Sequence, residues 1–272
     1  MTDLNPHKEQ MADESMVRTL DAQSRAIWPQ EKPLLLRYGL PADIAILDAG
    51  CGTGEGSWRL AEFYPRATVL GVDVLDSSLA IARERHAARF APRLTFENQS
   101  IYELKAPDRT FDLTVNRHVL HSIPHAEKVY AELKRVTKKG GRLHLIPEDY
   151  GMLHFEKADP DPSEFWRDGP RMFGEKTGTD LFVGRHTYRM LADLGLEDIT
   201  VDYIVVDTLR VPRETFAEII TAWRDGYAKV SAEVMGIPLE KSIAYWTRML
   251  ESIRDPHGYA VWMVPVVSAR VP

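Results

Sequence analysis

The sequence predicts an α/β fold with a doubly wound, mostly parallel sheet of seven strands. Between residues 45 and 147, short apolar segments alternate with longer segments of helical character. Such alternation is typical of a parallel sheet with helices on both faces. The first apolar segment also ends in an acid and is followed at once by glycines, which predicts a strand, a tight turn and a helix start. Two further apolar segments, late in the chain, complete the seven strands.

Seven strands and the helices between them follow in chain order. The strands are predicted at residues 45–48, 68–73, 94–98, 111–115, 142–147, 199–207 and 260–269. Two of the helices are predicted at residues 78–90 and 127–137. The segment Lys138-Lys139-Gly140-Gly141 is interpreted as a glycine stop that ends the second of them.

Three regions add to the predicted sheet, and the domain that contains the sheet is predicted to span residues 41–272. Residues 1–40 are polar and helical in character and predict an N-terminal helical cap. Residues 151–180 contain prolines and glycines with little periodicity, and they predict a long loop that acts as a lid. Residues 212–256 carry aromatic residues at helical spacing and predict a helical insertion before the last strand. Most of these aromatic residues are expected in the core of the insertion, and one or two in a binding pocket.

Composition limits the class of protein. The chain has 272 residues, 44% of them hydrophobic, enough for one large α/β domain with additions. The net charge is −6 and the basic residues are dispersed, so a nucleic-acid partner is not expected. The one cysteine, Cys51, lies in the glycine turn, so neither a disulfide framework nor a thiol metal site is expected. No segment reads as a membrane span or a signal peptide, so a cytoplasmic protein is expected.

The glycine turn points to a nucleotide-like ligand. Asp48 is the acid at the end of the first strand, and three alternating glycines follow it, Gly50, Gly52 and Gly54. The carboxyl end of a strand is where α/β sheets bind such ligands, but the spacing fits neither a dinucleotide fingerprint nor a P-loop. Glu55 beside the turn would repel a diphosphate and tolerates a cationic or zwitterionic ligand. Asp73, at the end of the second strand, is placed to accept hydrogen bonds from ribose hydroxyls.

The segments ILDAGCGTG and VLGVDV resemble the signature of class I S-adenosylmethionine (SAM)-dependent methyltransferases. The resemblance extends from about residue 34 to residue 150 and implies that SAM is the cofactor. It further implies that Asp48 and the three glycines contact the methionine and ribose portion of SAM. Asp73 would hold the ribose hydroxyls, with Val74 assigned to the same site. The last two strands would form an antiparallel edge pair.

The third strand is followed by the residues that this family places against the adenine. The family usually has an acid there, and this sequence has Gln99 and Ser100 instead. We assign the adenine contacts to Ser100 and Ile101.

Several polar residues follow the fourth strand, which in this family faces the methionine end and the acceptor. Asn116 and Arg117 are predicted cofactor or substrate contacts. His118 is the first choice for a polar group near the transferred methyl, and His121 is a second candidate that alternatively packs under a helix. Together with His125 these histidines lack the carboxylate or cysteine company of a metal site, so no metal is expected.

The fifth strand leads into Glu148, Asp149 and Tyr150, at the edge of the sheet where active sites lie. Asp149 and Tyr150 are assigned with the two histidines to the catalytic group, where they bind a substrate amine or relay a proton. The alternative is that Glu148 is solvated and Asp149 caps the next segment. Arg185 opens a later helix and is interpreted as a cap or as a partner for a carboxylate.

These residues predict a SAM-dependent methyltransferase that transfers a methyl group to a small molecule by in-line displacement. The acceptor atom is oxygen, nitrogen or carbon, and Glu148 and Asp149 favour nitrogen. Two alternatives stay open: a protein methyltransferase, which needs an open acidic groove, and a catalytically silent scaffold. The N-terminal helices offer an element that two subunits can exchange, so a homodimer is also an expectation.

Overall fold

A mixed sheet lies at the centre of the structure, a computed structural model that describes residues 6, 7, 10 and 12–272. Within that part of the chain it has eight strands: β1 (Ala45–Ala49), β2 (Thr68–Asp73), β3 (Leu94–Asn98), β4 (Phe111–Arg117), β5 (Thr137–Ile146), β6 (Leu153–His154), β7 (Glu197–Asp207) and β8 (Val261–Arg270). Their order is β3-β2-β1-β4-β5-β8-β6, and β7 pairs with the other edge of β8.

The first five strands are parallel, and β8 runs antiparallel to β5 and β7. Almost every residue of β1 is buried, as expected for a strand covered by helices on both faces. The predicted doubly wound sheet and its antiparallel edge pair are confirmed. The eighth strand, β6, is a two-residue segment that pairs with Val261 and Trp262, the part of β8 that β5 does not reach.

Helices cover both faces of the sheet. They are α1 (Glu14–Leu36), α2 (Glu55–Phe63), α3 (Asp76–Ala82), α4 (Ala126–Val136), α5 (Pro162–Thr177), α6 (Val183–Asp193), α7 (Arg213–Met235) and α8 (Leu239–Arg254). A π-helical turn at Arg83–Ala87 and a last turn at Ala88–Phe90 continue α3. Residues 1–5, 8, 9 and 11 of the predicted N-terminal cap lie outside the described residues, and α1 accounts for most of the rest.

The prediction of a long loop over residues 151–180 is wrong for its second half, which forms α5. Asp161 caps this helix by accepting a hydrogen bond from the Ser163 amide at 2.9 Å, Pro162 occupies the first turn, and Gly178 ends it with a φ of 73°. These are ordinary start and stop signals. Pro170 inside the helix obscures the apolar periodicity, and tertiary packing nevertheless holds the segment helical.

The predicted glycine stop after α4 is also wrong. The helix ends at Val136, and β5 begins at Thr137 and runs through Gly140 and Gly141. A Cβ atom on Gly141 would lie 2.9 Å from the Asp112 carbonyl oxygen, so glycine permits a close approach of two strands there. The pairing of β4 with β5 shifts register at the same place, as at a β-bulge.

The predicted helical insertion at residues 212–256 forms α7 and α8, which pack with α5 over one end of the sheet. Their aromatic side chains join one apolar cluster with the sheet residue Trp262. Helix α1 packs against α7 and also reaches across to β7, so the N-terminal helix and the insertion cover the same end of the sheet. Among the described residues, no helix is long and apolar enough to cross a membrane.

Candidate active site

The glycine turn between β1 and α2 has the backbone conformation that its sequence requires. Gly50, Gly52 and Gly54 all have positive φ, at 78°, 52° and 80°. The amides of Gly50 and Cys51 donate to the Val72 carbonyl at 2.8 and 2.9 Å, which fixes the turn against β2. A Cβ atom on Gly50 would lie 2.5 Å from the Val119 side chain. Glycine is therefore needed here both for conformation and for space.

Asp73, at the end of β2, accepts hydrogen bonds from the Gly52 amide at 2.9 Å and the Leu75 amide at 3.0 Å. Burial raises the pKa of Asp73, although these two amides oppose the shift. A carboxylate has about four lone-pair sites, so Asp73 retains capacity for two hydroxyl donors. Val74 beside it is 44% exposed and gives the site an apolar surface.

The segment after β3 favours Ser100 over Gln99 as a ligand contact. The Gln99 side chain is buried, donates to Glu97 at 2.8 Å and accepts from the Lys105 amide at 2.9 Å, so both of its polar atoms have partners. The Ser100 hydroxyl has only a long contact of 3.3 Å with the Tyr102 amide. Ile101 is buried, with 6% of its surface exposed.

A cavity of about 470 Å³, here called the cofactor cavity, lies between α1 and the glycine turn. Gly50, Glu55, Arg117 and His118 line one side of it. Side chains of α1, among them Gln23 and Glu31, line the other side, which the sequence did not predict. Because α1 and the glycine turn lie far apart in the chain, no local pattern links them.

Arg117 and Glu31 form a buried ionic network across this cavity. The Arg117 guanidinium lies 3.2 Å from Glu31 and 3.4 Å from Asp48. His144 lies 3.2 Å from the same Glu31 oxygen and contacts the Tyr38 hydroxyl at 2.7 Å. Burial alone would raise the pKa of Glu31, but Arg117 and His144 outweigh it and lower that pKa to about 2. The network holds Arg117, a predicted contact, in the cavity and ties α1 to the sheet.

We expect Glu31→Gln to lower the free energy of unfolding by about 3 kcal/mol at neutral pH, since the folded pKa lies well below 4.5. A lowered carboxyl pKa stabilises the fold above the unfolded value. The difference between wild type and variant should therefore shrink as pH falls from about 4.5 towards about 2. Urea unfolding across this range measures it. Glu62→Gln, which breaks an exposed ion pair with Arg89, is the control and should change little. A pH-independent loss in Glu31→Gln would contradict the assignment.

Gly56, in the first turn of α2, makes room for the Arg117 guanidinium. A Cβ atom there would lie 1.3 Å from the terminal nitrogen of Arg117. This atom is the far end of a long side chain, so Gly56→Ala should displace the guanidinium from its place beside Glu31 and Asp48. The sequence analysis did not single out Gly56, because its φ is ordinary and its neighbour is distant in the chain.

We expect Gly56→Ala to weaken SAM binding about tenfold, since a hydrogen bond to a charged group is lost or distorted. Calorimetric titration with SAM measures the effect. Gly226→Ala in α7 is a matched control, because its Cβ atom would also meet a flexible side-chain end, that of Ser15 at 2.7 Å. Unchanged SAM affinity in Gly56→Ala would show that Arg117 is not a ligand contact.

Asn116 has an internal partner. Its amide nitrogen donates to the Ala49 carbonyl at 2.7 Å, and the side chain is 1% exposed. It joins β4 to β1 at the base of the glycine turn. We therefore interpret Asn116 as a residue that positions the turn.

His118 and Glu148 form the central pair of the site. The Nδ1 atom of His118 bonds the Glu148 carboxylate, which is fully buried. The other Glu148 oxygen has no partner in the described chain. His118 has a φ of 56°, and strained backbone of this kind clusters at functional sites. With Nδ1–H donating to the carboxylate, Nε2 is left as a proton acceptor.

A second cavity, of about 580 Å³, lies beneath α5, α7 and α8, and we call it the aromatic chamber. His121 and Tyr150, both predicted site residues, line it together with Trp166, Trp223 and Trp246. Burial lowers the pKa of His121 well below its usual value and raises that of Tyr150 well above it, so both side chains are neutral. The Tyr150 hydroxyl lies 3.4 Å from His121 Nε2, a weak contact at most.

Asp149 is engaged by Arg185 and does not face either cavity. Its two oxygens accept hydrogen bonds from Arg185 at 2.6 and 2.7 Å, and one of them also accepts from the Gly151 amide at 3.0 Å. Two alternatives predicted from the sequence match this geometry. In one, Asp149 caps the next segment, and in the other, Arg185 pairs with a carboxylate. The catalytic assignment of Asp149 is not supported by any contact with the other site residues.

Comparisons with known proteins find methyltransferases. Residues 41–165 match a family model described as a methyltransferase domain. Trans-aconitate 2-methyltransferase of Deinococcus radiodurans is 33% identical over 159 residues, 57% of this chain and 59% of that protein. Demethylmenaquinone methyltransferase of Shouchella clausii is 28% identical over 68% of this chain and 83% of its own length. Over residues 41–165 the chain is therefore similar to methyltransferases.

A solved structure supports the fold. Phosphoethanolamine N-methyltransferase 2 of Haemonchus contortus, in complex with SAM, superposes with a TM-score of 0.59 at 20% identity. The match covers 90% of this chain and 53% of that one. This chain thus spans little more than half of that protein and about three fifths of the Deinococcus relative.

The residues of the cofactor cavity fit SAM, which the resemblance of the sequence implies as the cofactor. SAM carries a sulfonium, an ammonium and a carboxylate, and so has a net positive charge. Glu31, Asp48 and Glu55 outnumber the one guanidinium of Arg117 around the cavity. An excess of carboxylates complements a positively charged ligand, and Arg117 provides a partner for its carboxylate.

Proposed function

We propose that this protein is a SAM-dependent methyltransferase whose small-molecule acceptor loses a proton from a hydroxyl group or an acidic carbon. The His118–Glu148 pair carries this proposal. His118 lines the cofactor cavity, and its ring lies 6.0 Å from Trp262. Trp262 in turn lies 5.2 Å from Trp223 in the wall of the aromatic chamber. Contacts through Trp262 therefore link the pair to the wall of the aromatic chamber.

Different residues of the chain bind the cofactor and position the acceptor in this proposal. Asp73 and the glycine turn hold the nucleoside end of the cofactor, and Arg117 and Asp48 hold its methionine end. Bound SAM supplies an electrophilic methyl group on a positively charged sulfur. Helices α5, α7 and α8 enclose the acceptor and exclude water, which favours displacement by a bound nucleophile over hydrolysis.

His118 acts as the general base in this proposal. Glu148 accepts the Nδ1 proton, orients the ring and stabilises the imidazolium that forms when Nε2 takes a proton from the acceptor. Tyr150 and His121 lie at the same end of the chamber as neutral groups, and we assign them to orienting the acceptor.

A histidine base favours a different acceptor atom from the nitrogen that the sequence favours. The sequence favours nitrogen because two acids follow β5, but Glu148 bonds His118 and Asp149 bonds Arg185. Asp149 is therefore not left as the partner of a free amine, and Glu148 already bonds His118 through one of its oxygens. A free amine also needs no base, whereas a phenol or an enol does. We therefore propose oxygen or carbon as the acceptor atom.

Two other functions are less well supported. A protein methyltransferase would need an open acidic groove, and the described lining of the chamber is aromatic and carries no carboxylate. A silent scaffold would have no need for a buried His–Glu pair or for the strained φ of His118.

Transfer of labelled methyl from SAM tests the proposed function. Purified protein is incubated with methyl-labelled SAM and a panel of phenols and enols, and the label is then separated into small-molecule and protein fractions. We expect label in the small-molecule fraction, absent when Asp73→Ala replaces wild type. Label in protein alone would favour the protein methyltransferase, and binding of SAM without any transfer would favour the scaffold.

A further inference from the structure

The aromatic chamber selects by polarity as well as by shape. Of the described residues that line it, none is Asp, Glu, Lys or Arg. The two histidines of the lining are neutral, because burial lowers the pKa of His7 to about 4 and that of His121 well below its usual value. The described lining therefore offers no formal charge to neutralise an ammonium or a carboxylate, and burying an unpaired ionic group is costly.

The lining nevertheless contains hydrogen-bond donors that have no acceptor. The indole nitrogens of Trp166 and Trp246 are buried, and neither donates a hydrogen bond within the described chain. The two side chains are 6% and 2% exposed. Buried indole N–H groups usually find a partner, because an unmet buried donor destabilises the fold. A ligand that carries acceptor oxygens would satisfy both.

Cation recognition is the main alternative for an aromatic lining. Trp rings attract ammonium groups through their faces. Here Tyr150 and Trp166 stack on each other at 5.6 Å with an interplanar angle of 12°, so each covers one face of the other. Trp246 meets Trp166 edge-on at 88°. The rings thus form a packed wall, and the unpartnered N–H groups of Trp166 and Trp246 are among its polar features.

We propose that the chamber binds a neutral, planar aromatic acceptor that carries a carbonyl oxygen next to its hydroxyl group. The carbonyl accepts hydrogen bonds from the indole N–H groups of Trp166 and Trp246, and the ring packs among the aromatic side chains. The inference rests on the proposed function, since it identifies the cavity that holds the acceptor. It selects against amines and acids of the same size.

Four naphthalene probes of similar size test the proposal by calorimetric titration in the presence of the demethylated cofactor product. They are 1-hydroxy-2-acetonaphthone, 1-naphthol, 1-hydroxy-2-naphthoate and 1-(aminomethyl)-2-naphthol. We expect the neutral ketone to bind most tightly. Trp166→Phe and Trp246→Phe keep a ring and remove an N–H, so each should weaken ketone binding about fivefold and leave 1-naphthol unchanged. Trp28→Phe, outside the chamber, is the matched control.

The possible outcomes separate this inference from the proposed function. Tighter binding of the amine or the acid, equal loss of ketone and naphthol binding in the Phe variants, or no binding of any probe would overturn the inference. Methyl transfer to an amine would overturn it and leave methyltransferase activity intact. Ketone binding that depends on both indoles, without any transfer, would support the chamber and contradict the activity.

Discussion

Replacing His118 by alanine is expected to lower kcat by about 10²–10⁴-fold, the usual contribution of a general base. Of the other residues assigned to the catalytic group, Asp149 bonds Arg185, Tyr150 is held protonated by burial, and burial lowers the pKa of His121 well below its usual value, so none of them is suited to take the proton. The affinity for SAM should change only a few-fold, since the contacts proposed for SAM are made by Asp73, the glycine turn and Arg117. Steady-state kinetics with a phenolic acceptor, alongside SAM titration, measure both quantities.

Two further variants test whether the effect of His118→Ala comes from loss of the base. Glu148→Gln should also lower kcat, by a smaller factor, because the imidazole loses the carboxylate that orients it and stabilises its charged form. His125→Asn is the control, since His125 is exposed and asparagine tolerates its φ of 58°. A His118→Ala enzyme with wild-type kcat, or one that loses SAM binding instead, would contradict the role as base.

Asp73→Ala should weaken binding of SAM and of its demethylated product by about 100-fold or more. The carboxylate can accept two ribose hydroxyls, and each hydrogen bond to a charged acceptor contributes about 1.5–3 kcal/mol. Calorimetric titration of both ligands measures the effect. Asp73 also accepts the Gly52 amide at 2.9 Å, so the alanine variant disturbs the turn. Asp73→Asn keeps the volume and one acceptor oxygen and should show an intermediate loss.

The pH dependence of binding separates ligand contact from folding. Burial raises the pKa of Asp73, so this group takes up a proton at a higher pH than an ordinary aspartate as the solution is acidified. Its protonated form accepts hydroxyls less well, and wild-type affinity for SAM should therefore decline from neutral towards mildly acid pH. Asp73→Asn has no proton to gain, so a decline of the same size in that variant would argue against the assignment.

Much of the fold could be predicted because its signals are local. The alternation of apolar and helical segments and the acid-then-glycine pattern at residues 48–54 depend on a few neighbouring residues. Two local patterns were misread. Pro170 obscured the periodicity of α5, although Asp161 and Gly178 mark its two ends. Gly140 and Gly141 read as a helix stop, and only the neighbouring Asp112 backbone explains why glycine is needed within a strand.

The site could be predicted less completely, because its pairs come from distant parts of the chain. The histidine after β4 and the acids after β5 were both identified, but not that His118 would bond Glu148 while Asp149 turned to Arg185. Side-chain direction at the end of a strand decides which acid faces the site. Glu31 was missed because α1 approaches the glycine turn only in three dimensions.

The most direct test of the account compares wild type and His118→Ala on two acceptors. One is a weakly acidic phenol, and the other is its nitro-substituted analogue, which is already ionised at the assay pH. A base is needed only for the first. The account predicts a large loss of kcat in His118→Ala with the phenol and almost none with the ionised analogue. An equal loss with both acceptors would contradict it.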